Sequence, residues 1–250
     1  MSIYAEHGAR VTAHYRTSAA ALIQLKTGIN HARLRTVQAD LSHEEQVRAL
    51  FSSCSSTGEE EEEDPWGEVE IAVINHGMGV STDVPLKDMS IEQWERTFSN
   101  NLTSSFLVAR EYLRGLERGG VRAAPSSLAT PSGLIGGGGR GFGARAAIVF
   151  VGSTAGKYGE AMHADYASSK SGAQICNFPP VRRLFFFFYK KKKNQKAMMY
   201  GLTLSLKNEI VQVAPCARVN CVAPGWVRTP MAAEALQNPY TIYRSLGTYA

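Results

Sequence analysis

Ser153, Tyr166 and Lys170 stand within the stretch GSTAGKYGEAMHADYASSK, and their side chains are chemically complementary. Tyr166 and Lys170 are four residues apart, so on a helix they share one face. Ser153 follows the apolar run Ala146-Ala147-Ile148-Val149-Phe150-Val151, which reads as a buried strand. A strand end then offers a hydroxyl to a phenol flanked by an ammonium group, which is a proton-transfer device. A free phenol has a pKa of about 10, too high for ready exchange near neutrality. A cation about 4 Å away contributes up to roughly 4 kcal/mol at an effective dielectric near 20. At about 1.4 kcal/mol per pH unit, that would lower the phenol by roughly two or three units, toward working pH. Taken alone, Tyr-x-x-x-Lys reads more readily as an ordinary helix-surface pair, so the neighbouring segments decide.

Three further segments bear on it. The strand-like run Val69-Glu70-Ile71-Ala72-Val73-Ile74 ends in Asn75-His76-Gly77. The run Trp94-Glu95-Arg96-Thr97-Phe98-Ser99-Asn100-Asn101 comes next. After the Tyr-Lys stretch, Arg218-Val219-Asn220-Cys221-Val222-Ala223 reads as another strand and leads into Pro224-Gly225-Trp226-Val227-Arg228-Thr229. In this order the four segments resemble the short-chain dehydrogenase/reductase family, which carries NAG, Asn, Ser-Tyr-Lys and PG-x-x-x-T. The resemblance runs from about Tyr4 to Met231.

The resemblance implies roles. Tyr166 would be the general acid in reduction and the general base in oxidation. Lys170 would lower its pKa and hydrogen-bond the nicotinamide ribose, Ser153 would hold the substrate oxygen, and Asn101 would anchor a water linking Lys170 to solvent. Asn100 is the alternative if the register is off by one. The hydride chemistry belongs to the nicotinamide. A dinucleotide without the 2′-phosphate is normally held by an acid at the end of the second strand. His14-Tyr15-Arg16-Thr17-Ser18 has none there. Arg16 offers a bidentate cation to a phosphate, and Thr17 and Ser18 offer hydroxyls. NADP(H) is favoured over NAD. Asp40 and Leu41 match the position that meets the adenine amine. Asn75 and Gly77 would line the adenine-ribose side, and Pro224, Gly225, Val227 and Thr229 the nicotinamide carboxamide. A small carbonyl or alcohol substrate is implied, of the 3-oxoacyl-thioester or sugar-alcohol type, and intact relatives are homo-oligomers.

The predicted fold is a single doubly wound α/β domain over 1–250, with a parallel, Rossmann-like sheet. The chain opens on what resembles the end of a first helix, with a second strand at 10–15. The first strand with its glycine-rich loop, and the last strand, are expected to be lacking. The sheet is therefore expected to be closed up or gapped beside the strand at 69–74. Insertions are expected at about 52–64, 115–143 and 175–199. Within the second, Gly136-x-Gly138-x-x-Gly141 leads into a strand instead of opening a helix, so it is no phosphate cradle. The third holds seven Lys or Arg and no acid, and removing those charges from the chain's +5 leaves −2. It interrupts a helix pattern that otherwise joins Tyr166–Gln174 to 200–210.

Composition fits this frame. The chain has 250 residues, 44% of them hydrophobic, which is enough for a full core. Cys54, Cys176, Cys216 and Cys221 form no Cys-x-x-Cys, which suits reduced thiols in a cytoplasmic protein. No apolar run approaches about 20 residues, so no membrane partner is expected. A nucleic-acid reading rests on Lys190 to Lys193 alone and is set aside. The reading from another class is a non-catalytic or defective fragment that binds no cofactor.

Overall fold

The computed structural model describes residues 2–19, 22, 33–55, 66–79, 83–119, 146–171, 198–227, 229, 232–233, 235–239 and 242–243. The sequence alternates strand and helix, as expected for an α/β chain, and the strands lie in parallel sheets. They form two hydrogen-bonded sets among the described residues. One holds β1 (Val11–Tyr15) and β2 (Leu34–Gln38), and the other has the order β3 (Ile71–Ile74), β4 (Ala147–Val151), β5 (Arg218–Val222). β1, β3, β4 and β5 each fall within a residue or two of their predicted positions. The chain divides into two compact units. The first comprises Met1–Ala72, Ser104–Ala147 and Ile210–Ala217, and the second Val73–Thr103, Ile148–Glu209 and Arg218–Ala250.

In the first unit, β1 and β2 pair in parallel with Val11 opposite Leu34 and Tyr15 opposite Gln38. β-branched and aromatic residues favour the pleated strand here, and Ala13, Leu22 and Leu34 form its small core against Val11 and Tyr15. Helix α1 (Ser2–Glu6) precedes β1, and α2 (Glu44–Ser55) follows β2. Val47, Leu50, Phe51 and Cys54 are buried at helical spacing, while Glu44 and Glu45 occupy the first turn, where the helix dipole favours acids. Helix α4 (Ser104–Arg118) buries Leu107, Val108, Tyr112 and Leu116. The Tyr112 hydroxyl donates to the Glu70 carbonyl at 2.6 Å, with the Ala147 carbonyl at 3.2 Å, and burial pushes its pKa up.

Two insertion boundaries move. Ser52 to Ser55 belong to α2, because Cys54 completes its apolar stripe. Gly115 to Arg118 belong to α4, because Gly115 is buried where a Cβ would meet Glu68 Oε2 at 2.8 Å and Arg118 Nε bonds Glu68 Oε1 at 2.9 Å. Residues 56–64 and 120–143, most of 175–199 and the rejected glycine run lie outside the described residues.

The second unit carries the greater part of the three-stranded sheet. Ile148 and Phe150 of β4 are wholly buried. Helix α3 (Ile91–Phe98) starts at Ser90, whose hydroxyl accepts from Gln93 N at 3.2 Å. Trp94 and Phe98 stack one turn apart with centroids 4.5 Å from each other. A π-helical turn over Ser99–Thr103 joins α3 to α4. After β4 come the short α5 (Ala155–Tyr158) and α6 (Ala164–Lys170). Helix α7 (Met198–Val213) buries Thr203, Leu206 and Ile210 before β5. No described helix is long and apolar enough to cross a membrane.

Removing the buried ring of Phe150 by Phe150→Ala should cost about 3–5 kcal/mol, a large share of the roughly 5–15 kcal/mol that holds a domain folded. Urea denaturation should show a sharply lower midpoint. Ile71→Thr, at a half-exposed position on β3, should stay within about 0.5 kcal/mol of the parent.

Candidate active site

Ser153 lies just past the C-terminal end of β4, and Tyr166 and Lys170 share a face of α6, as their spacing requires. Ser153 lies close enough to the Tyr166 phenol to ease its ionisation. Lys170 is 6% exposed, and its Nζ donates to the Val151 carbonyl at 3.3 Å, so the last residue of β4 seats the ammonium. Asn101 sits in the π-helical turn and is wholly buried. Such single π turns are frequent at functional sites. Its Oδ1 accepts from Met78 N at 2.8 Å, and its Nδ2 donates to Met78 O at 3.2 Å and to Ser169 Oγ at 3.0 Å. Asn100 turns its amide back to the Arg96 carbonyl at 2.7 Å, whereas Asn101 is the wholly buried residue of the two.

Gly77 completes this corner. A Cβ there would lie 2.8 Å from Lys170 Nζ and 3.1 Å from Asn101 Oδ1, so both polar atoms flank one bare backbone position. Asn75 is exposed beside it. Pro224 and Gly225 are half-buried and Val227 and Thr229 exposed, on the chain leaving β5. That chain runs along the loop after β4: Gly152 N donates to Val222 O at 2.7 Å, and Thr154 N to Pro224 O at 3.0 Å.

The electrostatics depart from the expected downward shift of the phenol. Burial raises the Tyr166 pKa and outweighs the effect of Ser153, and Glu160 pushes in the same direction as burial. Burial also lowers Lys170 to about 8, so the ammonium expected to stabilise the phenolate begins to lose its proton not far above working pH. Cys221 on β5, overlooked in the sequence, lies close enough to oppose that fall, and its own thiol is pushed up to about 11 by burial.

Sequence reasoning also missed Gly156. A Cβ there would meet the Lys170 carbonyl oxygen at 2.3 Å and Ser171 N at 2.6 Å, so the α6 backbone rests directly on α5. A glycine ten residues before the tyrosine was the available signal. Asp165 and Ser169, both wholly buried, were missed as well.

In the first unit, Arg16, Thr17, Gln38, Ala39, Asp40 and Gln46 line an open cavity of about 520 Å³. Arg16 is half exposed, with Nε 3.9 Å from Asp40 Oδ2. Asp40 Oδ1 accepts from Ser42 Oγ at 2.6 Å and Ser42 N at 3.0 Å, and these bonds, with Arg16 and His43, hold its carboxyl below the usual range. Ser18 and the buried Leu41 are not among the lining residues, whereas Gln38 and Gln46 are additions. A guanidinium, a hydroxyl, two amides and the Asp40 carboxylate around one cavity fit the adenosine end of a nicotinamide dinucleotide.

A family profile described as enoyl-(acyl carrier protein) reductase matches residues 2–136, more than half of the chain. An NADPH-dependent aldehyde reductase 2, chloroplastic, of Arabidopsis thaliana is 30% identical over 46% of this chain and 44% of its own length. The 3-oxoacyl-[acyl-carrier-protein] reductase MabA of Mycobacterium bovis is 26% identical over 78% of this chain and 54% of its own length. The chain thus spans about half the length of these curated relatives. The crystal structure of a short chain dehydrogenase from Mycobacterium smegmatis superposes with a TM-score of 0.58 at 22% identity, over 90% of this chain and 69% of that one, and shares its fold.

Two predictions follow from this geometry. Gly156→Ala should destabilise by about 1–3 kcal/mol, since backbone atoms cannot move aside. Gly201→Ala, in open space on α7, should stabilise by about 0.5–1 kcal/mol; equal effects in chemical denaturation would refute the close-approach argument. Lys170 has a folded pKa below its unfolded one, so between about 8 and about 10.5 the unfolded chain binds the extra proton and stability from this group rises with pH. Lys170→Met should therefore be more stable than the parent at pH 7, an advantage that shrinks as pH passes through that window. With the site's geometry, the order of its motifs and the matched profile in agreement, the chain belongs to the short-chain dehydrogenase/reductase family.

Proposed function

We propose that the chain is an oxidoreductase that interconverts a carbonyl and a secondary alcohol with NADP(H). The observation that carries this reading is the convergence on α6: Tyr166 with Ser153 beside its phenol, and the buried Lys170 one turn away. When bound, the dinucleotide supplies the hydride. Ser153 donates to the substrate oxygen and aligns it with the phenol. Tyr166 gives its proton to that oxygen in reduction and takes one in oxidation. A phenol whose pKa is raised by burial stays protonated near neutrality, which favours its use as the acid. Lys170, lowered to about 8, exchanges protons near working pH and so can resupply the phenol, while Asn101 and Gly77 shape the corner through which a water would reach it. Lys170 also binds the nicotinamide ribose, Asn75 lies on the adenine-ribose side, and Pro224, Gly225, Val227 and Thr229 border the carboxamide. Arg16 and Thr17, with Ser18 beside them, hold the 2′-phosphate, and Asp40 with Leu41 borders the adenine.

The named relatives support the substrate class, since one is named an NADPH-dependent aldehyde reductase and the other a 3-oxoacyl-[acyl-carrier-protein] reductase. The test follows NADPH absorbance with an aldehyde and with a 3-oxoacyl thioester. Tyr166→Phe should abolish turnover and leave NADPH affinity nearly intact, and Lys170→Met should weaken both. Substantial turnover by the Tyr166→Phe protein would refute the assignment. Arg16→Asp should move the kcat/KM preference toward NADH by about tenfold or more, through loss of the phosphate's cation. An unchanged ratio would show that Arg16 does not read the phosphate.

A further inference from the structure

Asp165 takes no part in the proposed chemistry, yet it is the immediate neighbour of the phenol and is 0% exposed. Its Oδ2 accepts from Thr97 Oγ1 at 2.7 Å and from Gln93 Nε2 at 3.2 Å, both on α3. Its Oδ1 accepts from the backbone amide of Tyr166 at 2.8 Å. One side chain therefore ties the end of α3 to the first turn of α6 and grips the residue that carries the phenol.

Ser169 continues the same stripe one turn on. Its hydroxyl donates to the Tyr166 carbonyl at 2.8 Å and accepts from Asn101. Positions 165 and 169 thus dock one face of α6, and 166 and 170 present the next, about 100° around the helix. A small rotation of α6 would break the short Thr97 bond and swing the phenol away from Ser153. A buried carboxyl that needed only to be satisfied could have been met by its own helix; this one reaches 68 residues back along the chain.

We infer that Asp165 is a positioning residue for Tyr166: its hydrogen bonds to Thr97 and Gln93 fix the rotation of α6 and so the direction in which the phenol meets Ser153. The catalytic consequence rests on the reductase reading given above; the positioning of the ring does not.

The full chain carrying ring-labelled tyrosine is titrated by NMR, with the Tyr166 signal assigned from Tyr166→Phe. Asp165→Ala and Thr97→Val should each move that signal and bring the phenol's titration down toward the ordinary tyrosine range. The double variant should go no further than Asp165→Ala alone, because the Thr97 bond is already lost there. Asp165→Asn, which keeps an acceptor for the Tyr166 amide and a partner for the Thr97 hydroxyl, should restore the parent signal. An unmoved Tyr166 titration in folded Asp165→Ala overturns the inference. Should that variant fail to fold, Thr97→Val decides, since it leaves the bonds to Tyr166 N and Gln93 in place. In NADPH-driven carbonyl reduction, Asp165→Ala should lower kcat by about 10–100-fold with KM for NADPH little changed. Unchanged kcat in an active parent background also overturns the inference. A parent that reduces no carbonyl defeats the reductase reading, and the NMR titration then still decides Asp165.

Discussion

The backbone of α6 lies so close to α5 that a single methyl group at Gly156 would stand 2.3 Å from the Lys170 carbonyl oxygen. Most of what the second unit offers depends on that approach. With Lys170 held against the end of β4, its ammonium reaches the Val151 carbonyl, and the strand end that bears Ser153 meets the phenol of Tyr166. The opposite side of α6 is pinned with equal economy by Asp165 on α3 and by Ser169 on Asn101. A helix of seven residues is too short to be stable on its own. Contacts on its docking faces supply the order that its length cannot.

Those same contacts set the charge state of the site. Packing removes water from Lys170 and Tyr166 together, and each group then resists ionisation: the amine loses its proton more readily and the phenol keeps its own. The simple picture of a fixed cation lowering a phenol treats the lysine as fully charged. Here the burial that brings it close also lowers, to about 8, the pH up to which it keeps its charge. The π-helical turn at Ser99–Thr103 serves the same end by placing Asn101 on the inside, where Met78 and Ser169 take up its amide, while Asn100 stays on its own helix.

In the first unit the determining feature is the turn after β2. Asp40 is bound by Ser42 and faces Arg16, while Gln46 Oε1 accepts from Asp40 N at 2.7 Å. Gln38 Nε2 donates to the Arg16 carbonyl at 2.9 Å, so the chain after β1 is held to the end of β2. The guanidinium thus lines a cavity shared with polar side chains, the Asp40 carboxylate among them.

Strand positions, the Tyr166–Lys170 face, Ser153 at a strand end and Arg16 after β1 were legible in the sequence, because apolar runs and helical spacing are local properties. The helix ends at Ser55 and Arg118 were misjudged, since polar or glycine-bearing last turns resemble loops until their tertiary partners are known. Gly156, Asp165 and Ser169 carry no local signature. A glycine before a helix, an acid in a first turn and a serine in YASSK each have ordinary explanations, and only contacts with residues as far as 68 positions away give them a role. The sequence by itself determined which groups can exchange a proton and on which face they lie. Tertiary structure decided their protonation, because desolvation depends on what surrounds a group in space and not on what precedes it in the chain.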